Sequence, residues 1–263
     1  CDKEKKSSSS YNIINNLSTL KKNYYDAAFI LTPAKGRYKI IKLLIEMNIK
    51  YFFIEKPLSL TIKESNKIGT LLHSNNCYAH ISCNLRFHKA LKIIKELLNK
   101  KKIGKIFYSR ATFSHYLPFW RPKQNYRKGY NAEKKLGGDI FIDAIHEPDY
   151  LTWLFGDAKV KIVFSKNTKN LLINSDDLSC YVLEHKNGII SEIFVDYLRK
   201  DKLRKLEIIG EIGTIIWKSS GKKPEKLEVY IQKQKSIIPI YADTNYDSND
   251  QYTLQISYFI SLI

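Results

Sequence analysis

Tyr51-Phe-Phe-Ile-Glu-Lys-Pro57 decides the fold. Four apolar residues run without a break and then stop at a glutamate, a lysine and a proline. A short continuous apolar run is the signature of a strand buried on both faces. Pro57 disfavours helix at Lys56, so the strand ends there. Thr61-x-x-Glu64 follows as a capping box and predicts a helix through about His73. Upstream, Asp26-Ala-Ala-Phe-Ile-Leu-Thr32-Pro33 repeats the pattern of an apolar run stopped by proline. Between the two runs, Arg37 to Met47 carries Ile40, Ile41, Leu44 and Ile45 at helical spacing. Cys77 to Cys83 reads as a third strand. Strands alternating with helices of this length imply a parallel sheet with right-handed crossovers. Ligands of such sheets bind beyond the carboxyl ends of the strands, where Thr32-Pro33 and Glu55-Lys56-Pro57 stand.

After residue 84 the pattern changes. A helix over 88–101, a strand over 106–115, an aromatic loop over 116–135 and a helix over 136–155 are expected. Strands follow near 158–165, 178–185, 189–198, 204–210, 213–218 and 226–232. Consecutive strands without helices imply an antiparallel sheet. The expected fold class is therefore α/β: an incomplete Rossmann-like parallel sheet over 1–83, then an α+β domain with a large, mostly antiparallel sheet over 84–263. Residues 1–10 read as a polar loop. Gln251 to Ile263 reads as an amphipathic helix ending on an apolar run without a cap, and the chain opens on Cys1. Both ends suggest a fragment.

Composition narrows the function. A hydrophobic fraction of 44% suits a globular core, and no apolar run approaches the roughly 20 residues of a membrane span. The net charge of +18 comes from scattered lysines, with only seven arginines among 44 basic residues. Arginine is the better reader of phosphates and bases, so no nucleic-acid partner is expected. Cys77-x-x-His80-x-x-Cys83 has a period of three, which does not suit a strand, and no metal is expected. Free thiols point to a reducing, cytoplasmic setting.

Two segments carry chemistry. On a helix over 136–155, Asp139, Asp143, His146 and Tyr150 share one face by their spacing. Asp143, one turn from His146, can orient the imidazole as a general base. Pro148 should kink this helix just after His146. Lys56, held at a strand end beside a proline, can hydrogen-bond a substrate hydroxyl and stabilise the negative charge left as its proton departs.

These stretches, taken in order, resemble the glucose-fructose oxidoreductase / inositol dehydrogenase family, Gfo/Idh/MocA. The resemblance rests on Ala28-Phe-Ile-Leu-Thr32-Pro33, Ile54-Glu-Lys-Pro57, Asn84-Leu-Arg-Phe-His88, Ile103-Gly104-Lys-Ile106 and Gly137-Gly138. It continues through Asp143-x-x-His146-x-x-Asp149 and Trp153-Leu-Phe-Gly156. It implies an oxidoreductase that uses NAD or NADP on a sugar, nucleotide sugar or cyclitol, with homo-oligomers formed through the C-terminal sheet. Lys56, His146 and Asp143 become the catalytic residues, with the Lys56–Pro57 bond often cis in the family. Thr32, Pro33, Glu55, Lys56, Pro57 and Asp2 are assigned to the cofactor. Arg86, Trp120, Arg127, Asp139 and Tyr150 are assigned to the substrate. The loop Tyr116-Leu-Pro-Phe-Trp120-Arg-Pro with Tyr126-Arg127 resembles members encoded near surface-polysaccharide biosynthesis.

The chain also departs from the family. No Gly-x-Gly-x-x-Gly loop occurs; the first glycine is Gly36. Arg37 stands where many members have histidine, which weakens any role carried over to that position. Asp143 precedes His146 by three residues, where many members use four. With no preceding strand, residues 27–31 should expose an apolar sheet edge. Two other readings use the same residues: a non-catalytic sugar-binding or oligomerisation module, and an NAD-dependent glycosidase of the same family.

Overall fold

A computed structural model of the chain describes residue 14, residues 16–220 and residues 225–263. The chain divides into two units. One comprises Cys1–Ser82 with Phe259–Ile263, and the other Cys83–Tyr258.

In the first unit, β1 (Ala27–Ile30), β2 (Tyr51–Ile54) and β3 (Tyr78–Ile81) form a parallel sheet in the order β1-β2-β3. Helices α1 (Arg37–Glu46) and α2 (Ile62–Ser74) are the crossovers. Thr61 caps α2 as its motif predicts, accepting from the Glu64 amide at 3.2 Å. The core joins Ile30, Phe52 and Ile54 of the strands to Ile41, Leu44, Ile68 and Leu72 of the helices. Fully burying a side chain such as Phe52 contributes roughly 2–3 kcal/mol. The opposite face carries Phe29, Phe53 and His80, and Phe259 packs on all three, with centroids 5.3, 5.5 and 6.4 Å away. Of the apolar C-terminal run, Phe259 is fully buried against this face, while Ile260 and Ile263 are exposed. β1 is an outer strand, and Phe29 and Leu31 remain 44% and 65% exposed.

The second unit is built on eight strands in the order β11-β10-β9-β8-β4-β7-β6-β5. In chain order they are β4 (Ile106–Ser114), β5 (Ala158–Lys166), β6 (Leu178–His185), β7 (Ile190–Asp196), β8 (Leu203–Gly210), β9 (Gly213–Ser219), β10 (Glu225–Lys233) and β11 (Ser236–Tyr246). Only β4 and β7 pair in parallel. The helices of this unit are α3 (Lys89–Asn99), the single turn α4 (Leu117–Trp120), α5 (Ile140–Asp143), α6 (His146–Phe155) and most of α7 (Asp250–Ile260). Leu91 and Ile94 of α3, Ile140 of α5 and Leu151 of α6 join Ala111, Ile193, Leu206 and Trp217 of the sheet in one buried cluster. The expected fold class holds: a small parallel sheet, then a large, mostly antiparallel one.

Two expectations need correction. No strand was expected after 226–232, yet β11 follows there and contains Pro239. β11 is the outermost strand, where a missing donor is tolerated. The helix over 136–155 is also not continuous. It breaks at Ala144 and Ile145 (Ala144 ψ is 31°), and a new helix starts at His146. Pro148 is the reason, because its ring would clash with the Ala144 carbonyl of an unbroken helix. It sits instead in the first turn of α6, where its missing N–H leaves no bond unmade.

Candidate functional site

Each unit presents a cluster of polar groups. In the first unit these are the turns that follow β1 and β2. Thr32 and Pro33 come after β1, and Glu55, Lys56 and Pro57 come after β2, with Lys56–Pro57 cis. Arg37, the first residue of α1, lies beneath them and is 1% exposed. Its Nε donates to the Thr32 carbonyl at 3.1 Å, and its Nη2 donates to the same oxygen. Its Nη1 donates to the carbonyls of Glu55 and Pro57. Burial lowers the Arg37 pKa, and the charge of Glu55 opposes that shift. Burial raises the Glu55 carboxyl, while Lys56, a hydrogen bond from Ser82 and Arg37 pull it down.

In the second unit the cluster surrounds Asp143, at the end of α5. Asp143 is 6% exposed. Its Oδ1 accepts from the Tyr130 hydroxyl at 2.8 Å. Its Oδ2 accepts from Asn131 Nδ2 at 2.7 Å and lies 3.1 Å from the Tyr197 hydroxyl. Gly138 makes this approach feasible, since a Cβ there would stand 2.3 Å from the Tyr130 carbonyl oxygen. Burial is the main cause of the raised Tyr130 and Tyr197 pKa values, and the charge of Asp143 adds to it. A neutral phenol therefore faces the carboxylate on each side. His146 begins α6 three residues later and is half-buried.

The other expected site residues scatter. Arg86 holds Asp149 of α6 through two bonds, Nε to Oδ2 at 2.9 Å and Nη2 to Oδ1 at 2.7 Å. Trp120 is half-buried, with ring centroids 5.1 Å from His115 and 5.6 Å from Tyr197. Arg127 is exposed and lies over the ring of its neighbour Tyr126. The two remaining described assignments, Tyr150 and Asp139, are buried. Tyr150 is fully buried, its ring edge-on to Trp217 at 6.2 Å. Asp139 is buried at the position before α5, its side chain accepting from the Asp176 amide at 2.8 Å and lying 3.8 Å from the Lys134 ammonium. Asp2 lies outside the described residues.

The sequence reading missed Tyr130, Asn131 and Tyr197, which hold Asp143. It also missed the buried Glu147, paired to Arg204 Nε at 3.0 Å. Asp196-Tyr197 at the end of a strand offers no periodic signal that would have singled out that hydroxyl. His88, in the Asn84–His88 motif, is a cap for α3: its Nδ1 accepts from the Ala90 amide at 3.2 Å. Burial, helped by the Arg204 charge, pushes its pKa down to about 3, so the imidazole is neutral.

A nicotinamide dinucleotide, as the resemblance implies, fits these residues in part. Thr32, Pro33, Glu55, Lys56 and Pro57 stand at the carboxyl ends of parallel strands, where such ligands bind. A glycine loop for the pyrophosphate does not occur in the sequence.

Comparison with known proteins agrees with the fold. The family described as "Oxidoreductase family, C-terminal alpha/beta domain" (Gfo/Idh/MocA) matches residues 95–260. The chain is 28% identical over 173 residues to the inositol 2-dehydrogenase/D-chiro-inositol 3-dehydrogenase of Shouchella clausii, covering 63% of this chain and 46% of that protein. It is 25% identical over 223 residues to an uncharacterized oxidoreductase of Synechocystis, covering 80% of this chain and 59% of that protein. The chain thus spans well under two thirds of these relatives. Among solved structures, a 3-ketoreductase from Actinomadura kijaniata in complex with NADP and TDP-benzene superposes with a TM-score of 0.77 at 14% identity, covering 94% of this chain and 72% of that one. Levoglucosan dehydrogenase in complex with NADH gives 0.75 at 18% identity, covering 89% and 69%. At these identities the likeness speaks for the fold. With the family match extending over more than half its length, the chain belongs to the Gfo/Idh/MocA oxidoreductases.

Proposed function

We propose that the chain is part of a dehydrogenase that moves a hydride between NAD or NADP and a hydroxyl-bearing carbon of a sugar, nucleotide sugar or cyclitol. The observation that carries this reading is the placement of Lys56. It follows a buried parallel strand, is flanked by anchored carbonyls, and stands next to the Thr32-Pro33 turn of the adjacent strand. A bound nicotinamide supplies the hydride acceptor or donor. The chain's own residues manage the proton. Lys56 hydrogen-bonds the reacting oxygen and stabilises negative charge on it. His146 accepts the hydroxyl proton during oxidation and returns it during reduction. Asp143, fixed by Tyr130, Asn131 and Tyr197 three residues before His146, is the carboxylate assigned to orient the imidazole. Among the substrate assignments, Trp120, Arg86 and Arg127 stay within the proposal. A cytoplasmic enzyme that assembles through its large sheet also belongs to it; among the described residues no helix is long and apolar enough to cross a membrane.

Lys56 and His146 belong to different units, so their action on one substrate is the central test. Hydride transfer is followed at the nicotinamide absorbance with a panel of inositols, hexoses and nucleotide sugars. His146→Ala should lower kcat by roughly 10²–10⁴-fold. Lys56→Ala should lower it by about 10²-fold, and the double variant should lose less than the product of the two. Full additivity of the two losses, or an unchanged kcat in His146→Ala, would refute the assignment. One competing reading is a sugar-binding module without cofactor. Absence of any NADH fluorescence change on mixing, with a stable oligomer, would favour it instead.

A further inference from the structure

Arg37 is a cation buried against main-chain oxygens. Every hydrogen bond described for its guanidinium goes to a backbone carbonyl: Thr32, Glu55 or Pro57. Burying a charge is costly unless it is paired or fully hydrogen-bonded. A charge kept here under that penalty sets geometry rather than adding a simple ion pair. The carbonyls it grips are informative. Glu55 and Pro57 flank Lys56 on both sides, and Thr32 ends the neighbouring strand. One planar group therefore fixes the main chain before and after Lys56 and ties both to the adjacent turn. A planar fork with five N–H donors can serve three carbonyls. A neutral imidazole has one donor, and a lysine ammonium lacks the fork.

We propose that Arg37 is the positioning residue for Lys56, holding its ammonium where the reacting oxygen must lie. The proposal rests on the dehydrogenase reading for what Lys56 does, but not for where Lys56 is held. Arg37 itself touches no substrate.

The test uses Arg37→Lys and Arg37→Ala in the purified protein, with two readouts. The first needs no activity. Lysines are dimethylated with ¹³C-formaldehyde, and the Lys56 signal is assigned by its loss in Lys56→Arg. The expected result in both variants is that the Lys56 signal moves toward those of exposed lysines while the other lysines of the unit stay in place. Methylguanidinium should restore the signal in Arg37→Ala, and methylammonium should not. The second readout is turnover: kcat should fall roughly 10–100-fold, as expected for a misplaced group. An unmoved Lys56 signal in Arg37→Lys overturns the proposal. So does a general shift of all lysine signals of the unit without rescue, which would mark Arg37 as structural only. If Arg37→Ala does not fold, Arg37→Lys carries the test alone. If the signals behave as expected but Lys56→Ala turns over normally, the clamp stands and the dehydrogenase reading fails.

Discussion

Arg37 and Asp143 are both charged groups below the surface, one in each unit, and they are held in opposite ways. Arg37 is held by main-chain oxygens, which no substitution removes. Asp143 is held by two hydroxyls and an amide, each removable alone. Neither has an oppositely charged side chain among these partners, unlike Glu147, which is ion-paired to Arg204. A main-chain clamp is all or nothing, whereas a side-chain cradle can be tuned one donor at a time. The difference suits a rigid anchor in one case and an adjustable carboxylate in the other.

The sharpest way to break this contrast is Arg37→Met. It leaves three carbonyls without their donor and should cost the first unit roughly 4 kcal/mol, given about 1–3 kcal/mol for each unsatisfied buried group. Hydrogen exchange of the peptides over residues 27–57 measures it, and unchanged protection would contradict the clamp. Asp143→Asn should cost the second unit about 3 kcal/mol, because it exchanges charge-assisted bonds for neutral ones and sets an amide against the Asn131 amide. The three tryptophans Trp120, Trp153 and Trp217 all lie in that unit, so urea unfolding followed by their fluorescence isolates it.

Acid should separate the units next. His88 titrates near 3 when folded, against 6.5 ordinarily, so the folded state favours its neutral form. That contribution is present above pH 6.5 and is lost as pH falls toward the folded value. His115, pushed down to about 4 by burial and by the charges of Lys202 and Arg204, has the same sign. Glu55 has the opposite sign. Its folded pKa lies above the ordinary 4.5, so its contribution is present below that value and is lost as pH rises through the raised one. The second unit should lose on the order of 2 kcal/mol between pH 6.5 and about pH 5, while the first loses nothing through Glu55. A tryptophan-detected stability that is flat over this range would argue against neutral, buried imidazoles. The smallest effect belongs to Tyr130→Phe, about 1 kcal/mol, since Asn131 and Tyr197 remain on Asp143. A loss as large as that of Asp143→Asn would mean that the cradle is not adjustable.

Much of this was legible along the chain. The strand that ends at Ile54, the turn carrying Lys56 and the cap at Thr61 are local patterns, and the structure reproduces each. The eight-stranded sheet was readable as a series of strands, except for β11, whose proline is tolerated on an outermost strand. The helix carrying His146 was misread in one respect. Spacing put Tyr150 beside Asp143, but spacing assumes one unbroken helix, and Pro148 broke it. Arg37 stood in plain view and was discounted because its residue type was unexpected.

Periodicity and punctuation decide which stretches become strands and helices, since those choices depend on neighbours within a few residues. Hydrogen-bond partners are chosen otherwise. Tyr130, Asn131 and Tyr197 reach one carboxylate from segments up to 67 residues apart, and Arg37 joins turns after two different strands. Phe259 completes a sheet whose strands end at Ile81. A linear pattern records which side of an element is apolar. Where a polar group finds its partner is settled only when the packed elements close around it, because a buried donor or acceptor takes what is then within about 3 Å.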